Sequence, residues 1–184
     1  MAEIRTKRLL LRPLRDGDAE RIFVAFNNWE VVKRLAAPPW PYTIEDTRTF
    51  VARRMTFRSE PTEALYVIER ANAVIGGIDC TPRWQQQPGA EPVLGYWLAE
   101  PFWGNGYMTE AARAFVEELF AAGVGDRIRS GAFVDNLASL RVQEKLGFVR
   151  VGESLLYCNP RGAEFPHIDT VLTRERFLAS ALVL

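Results

Sequence analysis

Apolar residues in this chain occur in short runs and at helical spacings that follow one another from the N-terminus. Leu9 to Leu14 form the first run, which predicts a strand. A helix is predicted around Ile22 to Phe26, and the prolines of residues 38–41 end that helical stretch. Thr43 and Asp46 have the spacing of a capping box and predict a second helix after them. The chain therefore begins with a strand and two helices.

The middle of the chain combines a hairpin with a strand–loop–helix unit. Residues 65–68 and 74–80 are apolar or β-branched, and the short segment between them predicts an antiparallel pair. Residues 93–98 form an aromatic-rich strand, followed by a glycine loop. A helix with apolar residues at 3.6 spacing is predicted over 108–120, with Gly123 at its C-terminal cap.

The last third of the chain predicts three further strands and one helix. The predicted elements are a strand over 128–134, a helix through 140–146 with Asp135 or Asn136 as N-cap and Gly147 after its end, and strands near 148–156 and 167–172. The resulting order, βααβββαβαββ, mixes hairpins with crossovers. We therefore expect one α+β domain over residues 1–184 with a mixed sheet.

Charge and cysteine content restrict the classes of function. The 23 basic and 23 acidic residues give a formal net charge of zero, which provides no global field for nucleic acid or an anionic membrane. Cys80 and Cys158 are far apart and belong to no CxxC motif, which predicts neither a disulfide framework nor a metal site. The chain has no signal-peptide pattern and no long uncharged apolar stretch. These features predict a soluble cytoplasmic protein.

The glycine loop, Gly104-Asn105-Gly106, is the strongest candidate for chemistry. A loop of this kind directs backbone amides and the positive end of a helix dipole toward one point, and it therefore favours a phosphate or pyrophosphate. Such a turn also serves simply to tighten a strand-to-helix connection. The Walker pattern does not match, because no Lys-Ser/Thr follows. The dinucleotide pattern does not match either, because Thr109 occupies its third glycine position.

Two segments together resemble a known family. GYWLAEPFWGNGYMTEA, residues 95–111, and DNLASLRVQEKLGF, residues 135–148, are similar to the acetyl-CoA-dependent N-acetyltransferases of the GNAT superfamily. The RimJ/RimL-like branch, which acetylates protein N-terminal amines, is the most similar, and TKRLLLRPLRDGD and HIDTVLTRERF extend the resemblance along the chain. The resemblance implies a mixed, mostly antiparallel central sheet with flanking helices, and acetyl-CoA as the acetyl donor.

The resemblance also implies a set of cofactor-binding residues. In the family, backbone amides of the loop hold the CoA pyrophosphate, a strand residue pairs with pantetheine, and an Asn contacts the cofactor beside a Ser near its sulfur. Met108 departs from the family pattern, which is compatible with binding if its side chain enters the helix face and only its amide is used. The implied positions are Leu98, Trp103, Gly104, Asn105, Gly106, Met108, Thr109, Asn136 and Ser139.

The implied catalytic residues depart from the family in two places. Many members have a tyrosine four residues after the Ser to protonate the departing thiolate, and this chain has Gln143 there, so Ser139 is expected to take that role. The branch usually has a glutamate where this chain has Val93. Glu91, on the same face of the strand, is the predicted base through a water, and Asp79 is a second candidate.

The expected reaction is direct attack of a primary amine on acetyl-CoA, with a protein N-terminal α-amine as the expected acceptor. An α-amine has a pKa of about 7.7 to 8.0 and lysine about 10.4, so a weak base suits the α-amine better. Two alternatives stay open: a small-molecule amine such as a polyamine, an antibiotic or an amino acid, and a catalytically silent CoA-binding domain. A homodimer is a further expectation, since relatives are often dimers.

Overall fold

A computed structural model of the chain describes residues 2–56, 65–82 and 91–180. Within these ranges the chain forms eight strands and six α-helices. The strands are β1 (Ile4–Arg5), β2 (Leu10–Pro13), β3 (Leu65–Arg70), β4 (Ala73–Pro82), β5 (Pro92–Leu98), β6 (Arg127–Phe133), β7 (Val149–Cys158) and β8 (Ala163–Thr173). The helices are α1 (Ala19–Phe26), α2 (Trp29–Val32), α3 (Ile44–Thr56), α4 (Tyr107–Ala121), α5 (Leu137–Leu146) and α6 (Arg174–Ser180).

The strands form one mixed sheet in the order β1-β2-β3-β4-β5-β6-β8-β7. Neighbouring strands are antiparallel except for β5 and β6, which are parallel. Ala71 and Asn72, both with positive φ, make the tight turn between β3 and β4. The predicted α+β fold with a mostly antiparallel sheet and flanking helices is confirmed.

Helices cover both faces of the sheet. On one face, α4, α5 and α6 pack over a core that includes Ile68, Phe115 and Leu146. On the other face, α1, α2 and α3 pack over a second core that includes Val32 and Val67. Val67 and Ile68 are adjacent in β3 and enter opposite cores, because successive strand residues point to opposite faces. Burial of each such Val, Ile, Leu or Phe contributes about 1.5–3 kcal/mol.

Among strands and α-helices, the structure adds three elements that the sequence pattern did not predict. These are the two-residue strand β1, the short helix α2 and the C-terminal helix α6. The first predicted helix is divided, because Asn28 is the N-cap of α2 and its side chain accepts a hydrogen bond from the Glu30 amide at 2.8 Å. Among the residues that the structure describes, no helix is long and apolar enough to cross a membrane.

Candidate active site

A cleft of about 380 Å³ opens where β5 and β6 diverge. The two strands are paired at a single register position, Val93 with Arg129, and the Ser130 hydroxyl donates a hydrogen bond to the Leu94 carbonyl at 3.0 Å. Beyond this point the strands no longer pair. The cleft is bounded by the end of β5, the glycine loop, the first turn of α4, one face of α5 and the C-terminal end of α2.

The end of β5 presents backbone groups to this cleft. The Ala99 amide donates to the Ile75 carbonyl on β4 at 2.8 Å, so by alternation the peptide groups of Tyr96 and Leu98 face the gap toward β6. The Trp103 indole Nε1 donates to the Leu98 carbonyl at 2.7 Å. The glycine loop is thereby attached to the strand end, and the Leu98 amide is left for a ligand between the strands.

The glycine loop has the backbone conformation of an anion-binding turn. Gly104 and Gly106 have φ values of +74° and +75°, in the left-handed region that favours glycine. Gly106 is the N-cap of α4, and the first intrahelical hydrogen bond runs from the Glu110 amide to its carbonyl at 3.0 Å. The amides of residues 107–109 precede that bond and have no acceptor within the helix. They can therefore hold a diphosphate at the helix N-terminus.

An N-terminal segment fixes this loop from outside the cleft. Arg8 donates from Nη1 to the Asn105 carbonyl at 3.0 Å and from Nε to Glu110 Oε2 at 2.6 Å. The Thr6 hydroxyl also donates to Glu110, at 2.6 Å. Partial burial opposes ionisation of Glu110, but these hydrogen bonds outweigh it and hold the pKa of the carboxyl below its usual value. No local sequence pattern predicted this contact, which joins residues about a hundred positions apart.

A polar cluster lies on the α5 side of the cleft. The Tyr96 hydroxyl is 2.9 Å from the Ser139 Oγ and donates to the Ser139 carbonyl at 3.1 Å. Gln143, which is buried, donates from Nε2 to the Ser139 Oγ at 3.3 Å and to the Gly131 carbonyl at 3.1 Å. Burial raises the pKa of Tyr96, and its hydrogen bonds with Ser139 and Gln143 offset this only in part. Tyr96 was not among the predicted site residues.

The charge of the cleft suits an anionic ligand. Its lining in the described part of the chain contains Arg34, Arg141 and Lys145 and no carboxylate. Arg34 lies 5.0 Å above the Trp103 ring, donates from Nε to the Glu30 carbonyl and lies 3.5 Å from the Asn136 Oδ1. Three cations beside the unbonded amides of α4 fit the phosphates of acetyl-CoA, and the gap between β5 and β6 fits an extended chain with amide groups.

Most of the predicted cofactor residues meet at this cleft. Met108 lines it, with its side chain buried in the core as the prediction required, and Asn136 caps α5 with its Oδ1 3.3 Å from the Ser139 amide. Asn105 is outside the lining, with its side chain bonded to the Trp103 carbonyl at 2.9 Å. The predicted residues in the lining are Leu98, Trp103, Gly104, Gly106, Met108, Thr109, Asn136 and Ser139.

The two predicted bases lie elsewhere. Glu91 precedes β5, at the opposite end of the strand from Leu98, and forms ion pairs with Arg127 at 2.8 Å and Arg129 at 3.0 Å. Asp79 on β4 forms an ion pair with Arg54 at 2.8 Å. Neither carboxylate is part of the cleft lining. The structure therefore does not bring Glu91 to Ser139.

Comparison with protein families identifies the class to which this fold and cleft correspond. Residues 8–149 match the model of the acetyltransferase (GNAT) domain, and the chain belongs to this family. It is an acetyl-CoA-dependent N-acetyltransferase that acts on an amine acceptor. The resemblance to the GNAT superfamily, the enzyme class and the acetyl donor predicted from the sequence are confirmed.

Relatives cover nearly the whole chain. The uncharacterized N-acetyltransferase YoaA of Bacillus subtilis is 30% identical over 164 residues, which are 88% of this chain and 91% of YoaA. The ribosomal-protein-S5-alanine acetyltransferase of Vibrio fischeri superposes with a TM-score of 0.80 at 21% identity, over 95% of this chain and 98% of that one. RimL, a ribosomal L7/L12 α-N-protein acetyltransferase solved with CoA, gives 0.79 at 20% identity, over 94% and 98%. The fold is thus shared with members of the branch that the sequence resembles.

Proposed function

We propose that the acceptor is the α-amine of a protein or peptide N-terminus. The observation that carries this proposal is that the described lining of the cleft contains no carboxylate to bind a second ammonium group. A polyamine or an aminoglycoside brings further ammonium groups, for which the described lining offers no carboxylate. A peptide N-terminus brings one amine followed by neutral amides, and this cleft accommodates it at lower electrostatic cost.

The same charge pattern favours an amine that deprotonates easily. Reaction requires the neutral amine, and the pKa difference between an α-amine and a lysine corresponds to about 3.5 kcal/mol. The described lining has no carboxylate to stabilise the ammonium form and so raise the pKa of the amine. An α-amine therefore needs little help from a base in this environment.

In this proposal the chain's own residues bind and orient the two substrates. The amides after Gly106 hold the pyrophosphate, and the backbone of Leu98 pairs with pantetheine. Asn136 orders the first turn of α5, and Ser139 donates a hydrogen bond to the sulfur as it leaves. Water can carry the proton from the amine to solvent, since neither Glu91 nor Asp79 lines the cleft.

A panel of three acceptors tests the proposal. The first is a lysine-free peptide with a free N-terminus, the second is the same peptide N-acetylated and carrying one lysine, and the third is spermidine. CoA release and product mass are measured for each at equal concentration. We expect acetylation of the first peptide with a kcat/KM at least about tenfold above the others. Preference for spermidine or for the lysine peptide would overturn the proposal.

A Ser139→Ala variant tests the assignment of the site. We expect kcat to fall on the order of 100-fold while the acetyl-CoA dissociation constant stays within about threefold. Ser154, exposed on β7, provides the matched control, and Ser154→Ala should retain the activity of the parent protein. Equal losses of turnover and of acetyl-CoA affinity in Ser139→Ala would contradict the assigned role.

A further inference from the structure

The orientation of the Gln143 amide determines which protons are available to Ser139. Gln143 Oε1 accepts a hydrogen bond from the Thr170 hydroxyl at 2.7 Å, and its Nε2 donates to the Gly131 carbonyl. The amide nitrogen therefore faces Ser139 and donates to the Oγ. With one lone pair of that oxygen occupied by Gln143, the remaining hydrogen-bond contact of Oγ among the described residues is the Tyr96 hydroxyl at 2.9 Å.

The Tyr96 hydroxyl has one proton and two acceptors on Ser139, the Oγ at 2.9 Å and the carbonyl oxygen at 3.1 Å. When the Tyr96 proton is directed to the Ser139 Oγ rather than to the carbonyl, both lone pairs of Oγ are filled and the Ser139 proton points away from the cluster, into the cleft that both residues line. The phenol remains protonated at neutral pH, because burial raises the pKa of Tyr96. Two hydroxyls are thus connected in series, with the outer one facing the cleft.

We propose that Tyr96 is a proton-relay residue that resupplies Ser139 during acetyl transfer. The proposal rests on the role of Ser139 given above and adds the source of its proton. When the amine nitrogen bonds to the acetyl carbon, the carbon–sulfur bond breaks and its electron pair stays on sulfur. Sulfur takes the Ser139 proton, Oγ takes the Tyr96 proton, and Tyr96 recovers a proton from solvent, which receives the one released by the amine. Tyr96 acts through Ser139 and is therefore a positioning residue.

The relay includes a side chain that can release a proton, which Gln143 cannot do. An amide donates a hydrogen bond but does not release a proton near neutral pH, so Gln143 can orient Ser139 without serving as an acid. The phenol of Tyr96 can both donate a hydrogen bond and pass on its proton. Tyr96 lies on β5 rather than on α5, so the pair is assembled across the cleft by residues 43 positions apart.

Tyr96→Phe is the test variant, and Tyr66→Phe is its matched control. Tyr66 is a buried tyrosine on β3, and its hydroxyl donates to the Ala2 carbonyl at 3.0 Å. We expect kcat of Tyr96→Phe to fall on the order of 100-fold, with the calorimetric dissociation constant for acetyl-CoA within about threefold of the parent. Tyr66→Phe should change neither quantity. Thermal unfolding of both variants reports how much the lost hydroxyl contacts contribute to the stability of the fold.

Two further measurements separate a relay from a structural contact. In a double-mutant cycle, the Ser139→Ala and Tyr96→Phe losses should not add, because residues that act as a unit are lost together. In the parent protein, a plot of the single-turnover rate against the deuterium content of H₂O/D₂O mixtures should be curved, because two protons move in the same step. In Tyr96→Phe the dependence should become linear.

The outcomes distinguish this inference from the proposed function. Full turnover in Tyr96→Phe, or additive losses in the double variant, would overturn the relay even if the peptide N-terminus is the acceptor. Rejection of all peptide acceptors in the panel would overturn the proposed function. The relay is then measured with whichever amine is acetylated, and non-additive losses with that amine would still support it.

Discussion

Gly104 has a left-handed backbone conformation that alanine adopts only at a cost in free energy. Its φ is +74°, and no atom lies within 4 Å of the position that a Cβ would take. Gly17, in the single-turn helix Asp16–Asp18, has equally open surroundings without the positive φ. Gly104→Ala and Gly17→Ala therefore differ in backbone conformation and not in steric contact.

The expected difference follows from two terms. Replacing glycine by alanine restricts the unfolded chain and stabilises the protein by about 0.4–1 kcal/mol wherever the native conformation accepts it. This term applies to both variants. The left-handed conformation costs an L-residue about 1–2 kcal/mol and applies to Gly104→Ala alone. Gly104→Ala should therefore be about 1–2 kcal/mol less stable than Gly17→Ala, which is a Tm difference of about 2–8 °C for a chain of this size.

Measuring the Tm and the acetyl-CoA affinity of the Gly104→Ala variant together shows whether the glycine loop keeps its conformation. If the backbone of the Gly104→Ala variant stays left-handed at this position, the whole cost appears in the Tm and acetyl-CoA affinity is unchanged. If the loop relaxes in the free protein, binding must restore it, and the dissociation constant rises by up to about 5- to 30-fold while the Tm difference shrinks. Differential scanning fluorimetry without ligand and calorimetric titration with acetyl-CoA measure the two parts. Equal Tm and equal affinity in both variants would refute the argument.

Two further predictions concern ionisation in the protein interior. Burial opposes ionisation of Asp18 and Glu69, but hydrogen bonds from Arg12 outweigh it and lower the pKa of both carboxyls. Their stabilisation should be fully present above the unfolded pKa values of about 3.9 and 4.3, and it should be lost progressively as the pH falls below those values toward the lower folded pKa values. Urea unfolding between about pH 7 and pH 3 should show the free energy of unfolding begin to fall near the acid end, and a constant free energy of unfolding would contradict the prediction. Burial raises the pKa of the Cys80 thiol to about 12, so this thiol is protonated and unreactive at about pH 8 in the folded protein. In a Cys158→Ser variant, we expect Cys80 to react with a disulfide reagent at about pH 8 only after denaturation. Stoichiometric labelling of the native variant would contradict this prediction.

Local sequence was sufficient for most of the element order and for the cofactor loop. Strand and helix periodicity, turn residues and caps act over a few positions, so the hairpin of β3 and β4 and the helix after Gly106 were predictable. Met108 illustrates the same point, since its helical spacing placed it in the core. The short helix α2 was missed because the helical pattern continued past Asn28, whose capping hydrogen bond divides it.

Tertiary structure was needed for the contacts that join distant parts of the chain. Strand alternation made Glu91 a reasonable base, but Glu91 lies at the end of β5 opposite Leu98, where it forms ion pairs with Arg127 and Arg129 of β6. Tyr96 had no local pattern to mark it, and its position beside Ser139 depends on how far β5 and β6 diverge. Periodicity and turn chemistry are properties of neighbouring residues, whereas the proton donors and charges of this cleft come from elements that only the folded sheet brings together.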